Sequence, residues 1–305
     1  MSVAKTAATS RATRWPWQLD QRKVAPYVFI SPFFILFIIF WAGPILFAFY
    51  LGFTEWDGIG PTNFVGMRNY LALLKDAVFI KSLTNTIFFV VVYNIIMMAI
   101  ALPIALLLNE GAVRCREFFR TAYFLPVTVA LAVTALIFSM MLGRDFGLVN
   151  LMLQAVGIKA KPDWLNDVST AMWSLIGMRV WRVTGYYMVF ILAGLQAIDR
   201  ELYDAADVDG ANKLQRIWHI TLPQLMPMLL FVLVMSSLWA FQTFEEPWIL
   251  TRGGPSNATL TLAQYLYMNA FMFGKFGYAS AVSYVLTLLM IVVAILQVKF
   301  LSKGE

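Results

Sequence analysis

Long uncharged apolar runs set the first limit on what this chain can become. Val24–Thr54, Ser82–Asn109, Thr121–Gly143 and Phe276–Val298 contain no charged residue, and Ile217–Phe244 has none with His219 counted as neutral. Each exceeds the ~20 residues that a helix needs to cross a bilayer. A sixth stretch, Ala171–Ile198, is interrupted by Arg179 and Arg182. Hydrophobic residues make up 60% of the 305 and charged residues only 13%, against ~25% charged in an ordinary soluble domain. That leaves too little polar surface to cover a water-soluble fold. Hydrocarbon offers no water to backbone groups, so the runs read as helices. The expected fold class is an all-α polytopic membrane protein with about six transmembrane helices. They are placed at Tyr27–Leu51, Ser82–Leu108, Phe119–Leu142, Ala171–Ala197, Pro223–Phe244 and Ala279–Lys299.

The first run is much longer than the ~7–15-residue core of a cleaved signal, and it reads as a retained helix. Lys and Arg in the flanking segments then orient the bundle. With the N-terminus inside, internal segments carry thirteen of them and external segments eight, which favours both termini in the cytoplasm. Residues 1–23 read as a polar, basic, loosely ordered tail, 24–305 as the membrane domain, and 198–223 as a cytoplasmic loop. The net charge of +6 is mostly a topology signal. No basic stripe with aromatics suggests nucleic acid. The one cysteine, Cys115, excludes an internal disulfide, and no metal-ligand spacing surrounds it.

The informative loop runs from Glu201-Leu-Tyr-Asp-Ala-Ala-Asp-Val-Asp-Gly210 to Ile220-Thr-Leu-Pro223. It reads as helix–turn–helix. Asp199 is placed to cap a first helix, and Glu201 sits where the helix dipole favours negative charge. Leu202, Ala205 and Ala206 fall at i, i+3 and i+4, a narrow face of small apolar side chains. Gly210 supplies the left-handed stop. Ala211–Ile220 forms the second helix, with Leu214, Ile217 and Trp218 on one face, and Pro223 starts the next span. An interfacial helix is the bland alternative. The acids Asp199, Glu201, Asp204, Asp207 and Asp209 argue against it, because anionic lipid would repel them.

Asp204-Ala205-Ala206, Gly210, Ile220 and Leu222-Pro223 resemble the EAA motif of bacterial ABC-importer permeases, in particular the maltose-permease-like carbohydrate-uptake group. Asn63-Phe-Val-Gly66, Asn69-Tyr70, Asn85-Thr86 and Ala193-Gly-Leu-Gln196 also resemble that group's pattern. So do Thr251–Pro255, Thr261-Leu262, Tyr265–Tyr267 and Gly277–Ala279. The sequence departs from the motif in having Asp204 for the usual Glu, and Asp199-Arg200 where proline is common. The resemblance implies a permease in a bacterial or archaeal inner membrane that forms half of a pore. Glu201, Asp204, Ala205, Ala206 and Gly210 would be its contact with a separate ATPase. It also implies a second homologous permease, two ATPase subunits that hold ATP and Mg, and an extracytoplasmic sugar-binding protein. This chain would bind no cofactor or metal and catalyse nothing. It contains no G-x-x-x-x-G-K-[ST] phosphate loop.

An ion-coupled secondary carrier is the rival reading. It usually shows inverted repeats and carboxylates within the spans, and neither is evident here. An inner-membrane enzyme would need a convergent set of His, Asp, Glu or Cys, whereas the chain has one His and one Cys. A permease of the same family for glycerol-phosphate-like substrates is a further alternative. For the substrate pathway, a fifth helix continuing past Phe244 would align Trp239, Gln242, Thr243 and Glu246, with Ser236 extending that face and Glu245 beside it. Arg179 and Arg182 fall in the outer third of helix four. Snorkelling to external headgroups explains both. Alternatively, Arg182 with Trp181 and Tyr186 lines the outer pore and favours an anionic sugar.

Overall fold

The computed structural model describes residues 21–110 and 114–301, with side chains for 24–110 and 114–299. Most of the basic tail, up to residue 20, and the last four residues lie outside the described residues. The chain divides into two units, ending at Tyr50 and starting at Leu51.

The first unit is helical. α1 (Gln21–Phe37) passes through one widened turn, Ile38–Ala42, into α2 (Gly43–Leu51). Val24–Leu51 is long and apolar enough to span a bilayer. The widened turn ends two residues before Pro44, where the amide of Gly43 reaches back to Ile38 O. Proline offers no N–H and crowds the carbonyl four residues before it, and a wider turn relieves both. The same device recurs before Pro223, described below.

The second unit opens with a two-stranded hairpin, β1 (Thr54–Glu55) against β2 (Asn63–Phe64), and a short α3 (Arg68–Leu73). Then α4 (Ala77–Asn109) starts five residues earlier than the apolar run suggests, because Asp76 caps it by accepting from the amides of Val78 and Phe79. α5 (Arg116–Thr128) and α6 (Leu131–Met141) follow, then α7 (Leu148–Ala155) and α8 (Ala171–Gln196). α9 (Arg200–Val208), α10 (Lys213–Arg216) and α11 (Leu222–Phe241) lead to α12 (Glu245–Leu250), α13 (Leu262–Tyr267) and α14 (Phe276–Leu301). Among the described residues five helices are long and apolar enough to span, and the bent pair α5–α6 makes a sixth if it counts as one.

That pair stands in place of the single third helix expected over Phe119–Leu142. The two pieces meet at 95°, with Val129 and Ala130 extended just beyond Pro126. A break of this kind frees carbonyls, which must find donors away from water. Arg182 supplies them, donating from Nη2 to Val127 O and Val129 O at 3.3 and 3.2 Å.

α8 forms the core of the unit, packing on α4, α5, α11 and α12. On α4, Phe89, Tyr93, Met97, Ala101 and Ala105 recur every fourth residue and are fully buried, which gives α8 one continuous ridge. Gly185 lets α5 come close, since a Cβ there would lie 1.8 Å from Tyr123 O. In lipid such fit, rather than escape from water, drives helix association. The same core explains how α8 carries two arginines, because Arg179 is buried and Arg182 is half-buried with its guanidinium bonded to protein carbonyls.

Candidate functional site

The 198–223 segment is built from two caps placed back to back. Asp199 accepts from the amide of Glu201 at 3.0 Å and opens α9. α9 closes at Gly210, whose φ is +72°. Gly210 N–H bonds Asp207 O and Ala211 N–H bonds Ala206 O, the paired bonds of a left-handed helix stop. One residue later Asn212 and Gln215 cap each other reciprocally and start α10. The expected second helix therefore begins at Lys213 rather than Ala211. It does not end at Ile220 but runs through the widened turn Ile217–Thr221 into α11.

Two contacts brace the loop internally, Arg216 with Asp207 and the Tyr203 hydroxyl with Thr221 Oγ1 at 3.0 Å, and one, Lys213 with Glu110 at the end of α4, ties it to the bundle. Ala206 faces inward and is buried, so it does not share an outer face with Leu202 and Ala205, which are exposed. Glu201, Asp204 and Gly210 are exposed as well. Val208 is 88% exposed, and Leu214 and Trp218 also point outward. The result is a rigid, capped helix with apolar side chains on its free surface, a shape suited to seating in another protein's groove.

The end of helix five differs from the expected continuous face. α11 stops at Phe241, and α12 starts afresh at Glu245. Pro247 cannot donate to Thr243 O four residues earlier, and the Thr261 hydroxyl takes that carbonyl instead at 2.8 Å. Trp239, Gln242, Thr243 and Glu246 consequently do not align. Trp239 is 59% exposed. Gln242 is exposed and donates to Leu238 O of its own helix at 3.1 Å. Thr243 is buried, Glu245 is exposed, and Glu246 is only 1% exposed. Ser236 does not extend an open face. It is fully buried, and its hydroxyl donates to Asn94 of α4.

Glu246 pairs with Arg179 inside the bundle, and the guanidinium lies 5.7 Å from the centre of the Tyr93 ring. This overturns snorkelling for Arg179, whose charge is neutralised internally. Arg182 is likewise occupied, by the carbonyls at the α5–α6 break. Trp181 and Tyr186 keep exposed rings, Trp181 against Phe138 and Tyr186 against Phe124 and Phe190.

Two polar clusters join residues that the sequence reading treats separately, such as Ser236, Asn85 and Tyr265, to ones it does not single out, Asp76, Asn94, Ser237 and Gln297. Asn94, Ser236, Ser237 and Gln297 link α4, α11 and α14. At the other end of α4, the Tyr265 and Tyr278 hydroxyls both donate to Asp76 Oδ2, while Asn85 donates to Asn257 O and Leu260 O. Amides within apolar runs were the available signal, since each needs a partner there. Asn85 and Thr86, with Thr251, Thr259 and Thr261, hold the 251–262 segment to the bundle.

With this geometry described, comparison with known proteins decides the family. Residues 77–303 match the binding-protein-dependent transport system inner membrane component family. The chain belongs to that family. A probable ABC transporter permease of Bacillus subtilis, YurN, is 37% identical to this chain over 94% of it and 99% of the relative. The lactose transport system permease LacF of Rhizobium radiobacter is 39% identical, covering 89% and 92%. The arabinooligosaccharide permease AraP of B. subtilis is 33% identical, covering 100% and 97%. A solved bacterial ABC transporter for import of the acidic polysaccharide alginate shares the fold, with a TM-score of 0.79 at 22% identity over 93% of this chain and 96% of that one. By family and by these relatives, the chain is a permease subunit of a membrane transport system.

Proposed function

We propose that this permease is one of two membrane subunits of an ATP-driven saccharide importer, working with two ATPase subunits that bind ATP and Mg and with an extracytoplasmic binding protein. One observation carries the coupling: the 199–216 segment is stiffened by caps at both ends and pinned to α4, yet presents Ala205, Val208 and Asp204 outward. Motion imposed on such an element passes to the bundle through Lys213–Glu110 and through α10–α11, which are continuous. The chain sits in a bacterial or archaeal inner membrane with both termini cytoplasmic, which puts this loop on the ATPase side.

Relatives named for lactose and arabinooligosaccharides support a saccharide, and a glycerol-3-phosphate permease at 34% identity represents the anionic alternative. Arg179 and Arg182 favour the neutral substrate, because both are committed within the protein. Exposed Trp181, Tyr186, Trp239 and Gln242 are the side chains of this subunit that would meet the sugar. Co-purification tests the assembly. A stoichiometric ATPase should be retained through Ala205 and Asp204, and purification without one after mild extraction would count against the reading.

A further inference from the structure

A cavity of about 780 Å³ opens where α4 begins, and the pathway above does not use it. Asp76 lies in its wall and starts a helix of 33 residues whose other end pairs with Lys213 of the loop. At ~1.5 Å per residue the two sites stand about 50 Å apart. No residue of segment 236–246 lines the cavity.

The walls are fixed by bonds between distant segments. Asp76 receives Tyr265 and Tyr278, and Asn69 donates to Gly52 O and Thr54 O at 3.0 and 2.8 Å. Acceptors remain unused. The carboxamide oxygens of Asn69 and Asn269 have no protein partner among the described residues, although Asn269 is only 4% exposed. Trp56, held against Phe276, and the exposed Phe273 add flat apolar faces. Among the lining charges Glu55 pairs with Arg68 at 3.3 Å, and Asp57 and Asp76 outnumber Lys275, so the lining repels anions more than cations.

We propose that this cavity is a second saccharide site, which takes a neutral sugar by its hydroxyl edge and one ring face. The proposal rests on the saccharide-import reading. Amides and a carboxylate beside aromatic rings match hydroxyl donors and weakly apolar ring faces. The volume falls within the range of about 300–1,000 Å³ usual for small-molecule sites. In the proposed orientation the site faces the side from which sugar arrives, so it would hold sugar ahead of the helix-five segment.

Cysteine protection in the purified, detergent-solubilised importer tests this. Ala72 lines the cavity, and Cys115, the only native cysteine, is exposed and is replaced by serine. Lactose or arabinotriose should slow maleimide labelling of the Ala72→Cys variant about tenfold at about ten times the dissociation constant. Galacturonate should not, and Phe273→Ala should remove the protection. No protection by either neutral sugar overturns the proposal, as does equal protection by galacturonate or protection by sugar-free binding protein. Uptake by the wild-type importer is scored separately. Uptake without protection removes only the second site, whereas absence of saccharide uptake removes the import reading itself.

Discussion

Arg179 keeps its charge inside an apolar bundle because Glu246 and the Tyr93 ring replace the water it lost. Removing one member leaves the other buried and uncompensated, at a cost of about 3–5 kcal/mol. Arg179→Met or Glu246→Leu alone should therefore lower stability strongly, and the double variant should recover much of the loss. Thermal unfolding of the four proteins as a double-mutant cycle measures this, and additive losses would show the pair to be uncoupled. Gln242 behaves differently, since its amide is exposed and bonded only to its own helix. Gln242→Leu should raise the half-saturating sugar concentration in uptake assays while assembly and basal ATP hydrolysis persist. Unchanged uptake kinetics would place the sugar elsewhere, most plainly on the second permease.

Among the elements, α9 and the start of α4 owe their positions to caps. Nothing lies within 4 Å of a Cβ added at Gly210, so only its φ of +72° restricts the residue there. Gly210→Ala should cost about 1–2 kcal/mol and weaken sugar-stimulated ATP hydrolysis, and Gly210→Asn should recover part of both, because Asn tolerates the left-handed region. Equal effects of Ala and Asn would point to lost space instead. At Asp76, burial raises the pKa, but bonds from Tyr265, Tyr278 and the amides of Phe79 and Val78 lower it further, below the ordinary 3.8. Tyr265 is pushed up to about 12 by burial and by its bond to Asp76, so it stays a donor. The clasp thus contributes fully above the ordinary aspartate value and is lost as pH falls through the lower native one. As pH falls below the ordinary 3.8, the melting temperature of the wild type should fall more steeply than that of Asp76→Asn. Parallel slopes would show that Asp76 does not carry the acid sensitivity.

For the whole molecule, the apolar runs and the Asp204–Pro223 motif made the helical class and the loop legible, because both signals are local. Arg182 bonds carbonyls 53 and 55 residues away, and Arg179 finds its carboxylate 67 residues on. No pattern within a single run reveals such partners, so Arg179, which looked like a snorkelling side chain, is paired inside the bundle, and Arg182 is bonded to backbone carbonyls. The break in helix five had a visible cause, Pro247, whose effect falls four residues upstream. The central claim is that energy from a separate ATPase enters through the capped loop. Proline cannot adopt a φ of +72°, so Gly210→Pro should dismantle that loop without touching the spans. The decisive measurement is uptake of labelled lactose or arabinotriose into proteoliposomes holding the complete importer and its binding protein. Uptake should require ATP and be abolished in a Gly210→Pro complex that still inserts and assembles. Uptake that persists in that complex, or that runs on a proton gradient without ATP, would contradict the account.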